Sequence, residues 1–393
     1  MQRKAVKHQN YPILTISKIS IILFPFFPNV FSYSGELYYA FILAKVSIFA
    51  YYGMRFIRDL LEGKGLDSFL WITIGYNAVL FISTIINDGN FVKYTGYLVS
   101  SLGITLVIKY LSQDKGWRLI CSMRNVCRFL IGVNLITISL FPHGLMYPEY
   151  HFLGNDNISV PCILMCATLV LYSSYIQNGR ITFDGLLDFL LCAANLIIIW
   201  SGTGITGLLV FLAVCVGLFV FKGILNLRKM IVISGVACYL IMFVGDISFL
   251  QNYIVGFLGK DMTFTGRTYI WKEAMAMILK KPLLGYGILD SQAIVYSNIM
   301  GYYKWAHNEY LQSMLNGGIF YCLLIVFTII MVAFRLKKYE KYRATYFLQA
   351  SISAYLVMFI TETYGNFLFL SIILAFAYYL PVIRSYPETA DTE

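Results

Sequence analysis

Long apolar runs, each close to the length of a bilayer crossing, recur from one end of the chain to the other with short polar connections between them. A helix needs about 20 residues to cross the hydrocarbon core. Runs of that size fall at 13–32, 35–54, 67–86, 91–111, 125–141, 158–177, 184–200, 204–221, 230–248, 307–334, 345–362 and 366–383, about twelve spans in all. Lipid gives unpaired backbone groups no water to bond, so a span is either a helix or part of a closed barrel. These runs are too long and too continuously apolar for barrel strands. The pattern predicts an all-α polytopic membrane protein, one domain over 1–393.

One stretch departs from the pattern. Residues 249–306 form a long polar interruption before the tenth run. Within it, Trp271, Ala274, Met275, Ile278 and Leu279 recur at helical spacing. Thr265 or Gly266 suits the start of a helix from Arg267 to Lys280, and Pro282 suits its end. The reading is a helix lying on the membrane interface with Trp271 as an anchor at lipid level. Gly285-Tyr286-Gly287 then permits a sharp turn.

Charge orients the spans. Lys and Arg follow the second, fourth, sixth, eighth and tenth runs, whereas 87–90, 142–157, 201–203 and 363–365 carry none. Basic loops face the cytoplasm, which predicts a multi-pass protein of the cytoplasmic membrane with both termini inside. It also makes 249–306 a large extracytoplasmic loop. That loop holds six basic residues (Lys260, Arg267, Lys272, Lys280, Lys281, Lys304) against three acidic ones (Asp261, Glu273, Asp290). Either a long loop was translocated regardless of charge, or a basic outer cup waits for an anionic head group. The net charge of +10 needs no nucleic acid, because no basic domain stands clear of the spans. The eight cysteines avoid the outer loop, which argues for packing rather than a disulfide framework. Cys162 and Cys166 have helical spacing but no companions for a metal site.

Two side chains suggest chemistry. His307 opens the tenth run, where a helix N-terminus favours a nearby phosphate and a neutral imidazole can take a proton from a hydroxyl. Arg267 opens the loop helix, and its planar fork suits phosphate oxygens. Either residue alone reads more simply as an interfacial cap or a snorkelling arginine.

Together they carry a resemblance. Gly266, Arg267 and Trp271, then Pro282, Leu283, Gly285 and Gly287, then His307, Asn308, Leu311 and Gly318 resemble the C-terminal signature shared by O-antigen ligases and Wzy-type polysaccharide polymerases. The motif covers only the 266–318 stretch, while the span layout agrees throughout. The resemblance implies a GT-C-like glycosyltransferase that moves a glycan from undecaprenyl pyrophosphate to an acceptor hydroxyl, outside the membrane, with inversion. Arg267 would hold the pyrophosphate and His307 would act as base. No nucleotide-sugar or metal motif is visible and no cofactor is expected, which fits a donor already activated by its pyrophosphate. A chain-length regulator and a flippase are the implied partners.

The family often has an arginine just after the serine at the outer end of the seventh span, and Gly202 takes that place here. A second cation is missing or comes from elsewhere, with Lys260, Lys272, Lys280 and Lys281 as candidates. Gly266, Trp271, Lys280, Lys281, Tyr286 and Asn308 complete the substrate contacts expected around Arg267 and His307. Asn155 and Asn157, just before the sixth span, either bond sugar hydroxyls or form a turn. Glu362 is a costly carboxylate at the end of a span, placed to hold a sugar, pair with Arg267 or serve as an alternative base. Glu309 lies near His307 in sequence, but residues two apart on a helix diverge, so it is expected in solvent.

A polymerase joining lipid-linked repeats into capsule, exopolysaccharide or O-antigen is the leading reading. No sequence feature separates it from the ligase that hands finished glycan to lipid A-core or protein; richness in Ile, Tyr, Phe and Lys points to an AT-rich genome, which is compatible with a Gram-positive host lacking lipopolysaccharide. A flippase would carry its polar groups near the midplane, not in one outer loop.

Overall fold

A computed structural model describes residues 17–28, 35–64, 67–145, 150–221, 223–243, 263–297, 301–365 and 367–381. Parts of the expected first span, residues 249–262 of the long loop, and Lys260 with them lie outside these. The described chain is helical, with one small hairpin. Its helices are α1 (Lys18–Leu23), α2 (Gly35–Leu61), α3 (Ser68–Ile86), α4 (Phe91–Leu98), α5 (Ile104–Leu140), α6 (Asp156–Asn178) and α7 (Phe183–Ile199). There follow α8 (Gly202–Phe219), α9 (Leu227–Phe243), α10 (Thr263–Lys280), α11 (Glu309–Lys338), α12 (Thr345–Thr361) and α13 (Leu368–Tyr379). Strands β1 (Val295–Ser297) and β2 (Tyr302–Lys304) pair antiparallel between α10 and α11.

Among the described residues six helical stretches are long and apolar enough to cross a membrane, and α12 and α13 are shorter apolar helices. The chain is a polytopic helical membrane protein. The fourth and fifth expected spans are joined: α4, a π-helical turn (Val99–Gly103) and α5 run on to Leu140, and two helical segments meet at a non-helical Lys115. Span starts are written locally. The side chains of Asp67, Asn155, Thr182, Ser201 and Asn308 each accept a backbone N–H of the first turn that follows, satisfying donors that lipid would leave bare. Gly179, left-handed at φ 67°, closes α6.

The core lies around α6 and α12. Nearly all of α6 is enclosed, whereas α2 is almost wholly peripheral. α12 packs against α8, α9 and α6, and α13 fills the gap to α5. The connections sort to opposite ends. Arg124 and Arg128 clasp Asp184 and Asp188, and Lys109 pairs with Asp67, among the basic connections. The connections poor in Lys and Arg gather with α10 at the other end, through contacts among Asn157, Ser201, Arg267, His307 and Glu362.

That end is braced by a break in α11. Gly318 has φ 67° and ψ −166° inside the helix, a conformation that only glycine adopts without strain. The break frees carbonyls that a straight helix would use. Tyr286 N–H donates to Leu315 O at 2.6 Å, Gly287 N–H to Asn316 O at 2.8 Å, and Ile319 N–H back to Pro282 O at 2.9 Å. The segment 282–287 is thus wedged into the bend. From the other side Ser83 Oγ donates to Asn316 O at 3.1 Å and Asn87 Nδ2 to Gly285 O at 3.2 Å. Irregular backbone inside a bundle survives where freed groups find protein, as the Leu315 and Asn316 carbonyls and the Ile319 amide do here. A Cβ on Gly318 would overlap the Leu283 carbonyl, and one on Gly285 would overlap that of Leu315. Gly318→Ala is therefore expected to cost at least about 3 kcal/mol, read as a lower unfolding midpoint in detergent.

Candidate active site

Five elements bring one polar side chain each to a single point. Arg267 lies in the second turn of α10. Asn157 is the second residue of α6, and Ser201 caps α8. Glu362 is the C-cap of α12. His307 precedes α11, which begins at Glu309 with Asn308 as its cap, so His307 stands just outside the helix it was expected to open. Its φ of 47° is unusual for a residue with a Cβ. Strain of this kind persists only where neighbours over-determine it, and it concentrates at functional sites.

Glu362 is the hub. Its side chain is only 5% exposed. Oε1 accepts from His307 Nδ1 at 3.0 Å and from Thr363 N–H at 3.1 Å. Oε2 accepts from Arg267 Nη2 at 3.3 Å and from Asn157 Nδ2 at 3.1 Å. A carboxylate has about four acceptor positions, and four donors fill them. Of the three expectations for Glu362, to hold a sugar, to pair with Arg267 or to serve as an alternative base, the pairing with Arg267 is present, and the four donors leave no lone pair for a sugar hydroxyl.

The hub also fixes its neighbours. An ionised carboxylate only accepts, so Nδ1 of His307 carries the proton. In the neutral ring the Nε2 lone pair is then free. Arg267 spends one donor on Glu362 and another on the carbonyl of Thr361. Among the described residues its other three N–H donors meet no protein acceptor. Ser201 Oγ donates to Asn157 Oδ1 at 3.2 Å, which holds the amide with its nitrogen toward Glu362.

Burial would raise the Glu362 pKa, but the His307 hydrogen bond and the Arg267 charge outweigh it and hold the carboxyl below its ordinary value of 4.5. A carboxyl depressed on folding adds stability above its unfolded pKa and loses it as pH falls through the native value. Wild-type unfolding midpoints should therefore hold steady above about pH 4.5 and fall below it. Glu362→Gln should flatten that acid limb, as thermal unfolding at a series of pH values would show.

Several expected contacts are placed elsewhere. Gly266 lies in the first turn of α10, which starts at Thr263, earlier than expected. Trp271 is 3% exposed and donates Nε1–H to Ala306 O at 3.0 Å. It is a strut under His307 rather than an anchor at lipid level, because the indole needs an acceptor and the protein supplies one. Ala274 and Ile278 of its stripe are also buried against protein, whereas Leu279 is exposed. Asn308 is fully buried, with its amide spent on Leu311 N–H and Ile360 O, and Asn155 likewise caps α6. Asn308 has no free amide for substrate, whereas Asn155 commits only its oxygen to the cap. Tyr286 donates its hydroxyl to Met277 O at 2.9 Å and belongs to the wedge.

Lys280 and Lys281 are thirteen or more residues from Arg267, about 20 Å along a helix. Lys281 donates to Asn87 Oδ1 and lies 4.9 Å from the Tyr286 ring centre, far from the hub. Lys272 is exposed on α10, beside Tyr269. Gly202 is half-buried with open space where a Cβ would stand. Glu309 is the largest surprise, since it is 2% exposed rather than in solvent. Its proximity to His307 was visible in the sequence. The turn 362–365 that buries it was not.

The O-antigen ligase family model matches residues 189–326. That stretch contains Ser201, Arg267 and His307 and ends before Glu362. The exopolysaccharide production protein ExoQ of Rhizobium meliloti (strain 1021) is 25% identical over 293 residues. The match covers 66% of this chain and 60% of that relative's length.

Proposed function

The chain is a membrane protein of the O-antigen ligase and Wzy-type family, and from that premise we propose that it polymerises oligosaccharide repeats carried on undecaprenyl pyrophosphate. One observation carries this reading: a cationic fork and an imidazole are locked to the same buried carboxylate, so both face one point. The three remaining donors of Arg267 hold the pyrophosphate of the donor lipid and stabilise the charge that grows on it as it leaves. Nε2 of His307 takes the proton from the acceptor hydroxyl. That oxygen attacks the anomeric carbon, the bond to the pyrophosphate breaks, and its electron pair departs with the phosphate. Attack opposite the leaving group inverts the anomeric centre. Fixing both partners in one orientation supplies much of the rate.

The bundle end carrying this site lies outside the cytoplasmic membrane, with both termini inside, in line with the basic connections at the opposite end. The relative's name, an exopolysaccharide production protein, supports polymer synthesis. The family's ligase description favours a second reading, transfer of finished glycan to lipid A-core or protein. Deleting the gene and analysing glycolipids separates them. Polymerisation predicts single lipid-linked repeats and no polymer. Ligation predicts full-length polymer retained on undecaprenyl pyrophosphate, and that result would reject the polymerase.

A further inference from the structure

Resting on that reading, we propose that Glu309 is a positioning residue for the His307–Glu362 pair, holding the turn that presents the Glu362 carboxylate. Three consecutive residues grip three consecutive residues in one register. His307 meets Glu362 through Nδ1 at 3.0 Å, Asn308 N–H donates to Thr363 Oγ1 at 3.1 Å, and Glu309 Oε2 accepts Tyr364 N–H at 2.7 Å. Each rung joins residues 55 apart, so the two tripeptides run side by side. The first rung holds the reacting imidazole, and the third is the shortest and rests on a carboxylate that is itself buried.

The register matters because it ties the far side of the turn to the start of α11, beyond the contacts that hold Glu362 itself. α12 ends at Thr361, and Glu362 is already extended at φ −145° and ψ 156°. Gly365 follows in a left-handed conformation. Between these points the Tyr364 amide donates to Glu309 Oε2, and Glu309 accepts the Gly365 N–H as well, so one side chain meets two successive amides of the turn. Glu309 sits at the first position of α11, directly after the cap that fixes His307. One helix start thus aims both the imidazole and the turn facing it. Glu309 is wholly enclosed and two residues from His307, so it reaches the reaction only through that turn.

The contact needs an acceptor at the right reach, not a charge. Glu309→Gln keeps a carbonyl oxygen at that reach, Glu309→Asp falls one methylene short, and Glu309→Leu removes the acceptor. Full-length variants in nanodiscs would be assayed with lipid-linked repeats extracted from cells lacking the protein. Glu309→Leu and Glu309→Asp should lower kcat about 10- to 100-fold, the scale of an ångström-sized misplacement, with KM for the lipid nearly unchanged. Glu309→Gln should stay within about threefold of wild type. In a double-mutant cycle, Glu309→Asp should add little to Glu362→Gln, because both act through one turn.

Wild-type kcat in both Glu309→Leu and Glu309→Asp would overturn the role, as would full additivity with Glu362→Gln. So would a reversed order, with Asp active and Gln inactive. If Glu309→Leu fails to fold, the Asp and Gln variants still decide. His307→Ala in the same assay tests the underlying reading separately. Full turnover there rejects the site itself, whereas a dead His307→Ala beside an unaffected Glu309→Asp rejects the positioning role alone.

Discussion

A His307→Ala protein is expected in the membrane at normal abundance, turning over lipid-linked repeats about 100- to 10,000-fold more slowly than wild type. The range is that of a lost general base. The imidazole is about a quarter exposed and bonded through one nitrogen, so its removal deletes chemistry more than packing. Turnover should fall with little change in KM, because a proton acceptor works mainly in the transition state. Single-turnover kinetics on defined lipid-linked repeats would check it. A kcat within threefold of wild type would show that another group takes the proton.

Arg267→Ala should lose about 100- to 1,000-fold in kcat, the scale found when one preorganised donor to a developing anion is removed. Arg267→Lys should recover little of this. A lysine brings the charge as a single point, whereas the guanidinium bridges Thr361 O, Glu362 and a ligand at once through its fork. Removing Arg267 also takes a cation from a buried carboxylate, so the Glu362 carboxyl should titrate higher in the variant. A stability profile against pH would separate that effect from lost phosphate binding. Lysine performing as well as arginine would reduce the site's need to plain electrostatics.

Arg267 and His307 were legible because they interrupt a greasy sequence where polarity is conspicuous. Glu362 was legible for the same reason, as a carboxylate at the end of a span. Of what joins them, only the pairing of Glu362 with Arg267 stood among the options. The Glu362 contacts with Asn157, Arg267 and His307 link positions 205, 95 and 55 residues apart, and sequence periodicity reports only neighbours within a helix or strand. Trp271 and Glu309 were misplaced for one reason: each was placed from spacing along its own helix, and each is enclosed by a segment distant in sequence. Gly285 and Gly318 stood out as glycines, but the carbonyls that forbid a side chain there belong to each other's segments and emerge only in the folded chain.

The bend at Gly318 bears on how the protein meets membranes of different thickness. A long helix normally answers mismatch by tilting as a whole, which would swing its outer end sideways. Here the lower part of α11 can tilt about the glycine, while the short outer part stays bolted to α3 and to the segment after α10. Lengthening or shortening the surrounding acyl chains should then be absorbed below the joint, leaving the distance between His307 and Glu362 the same in thin and thick bilayers.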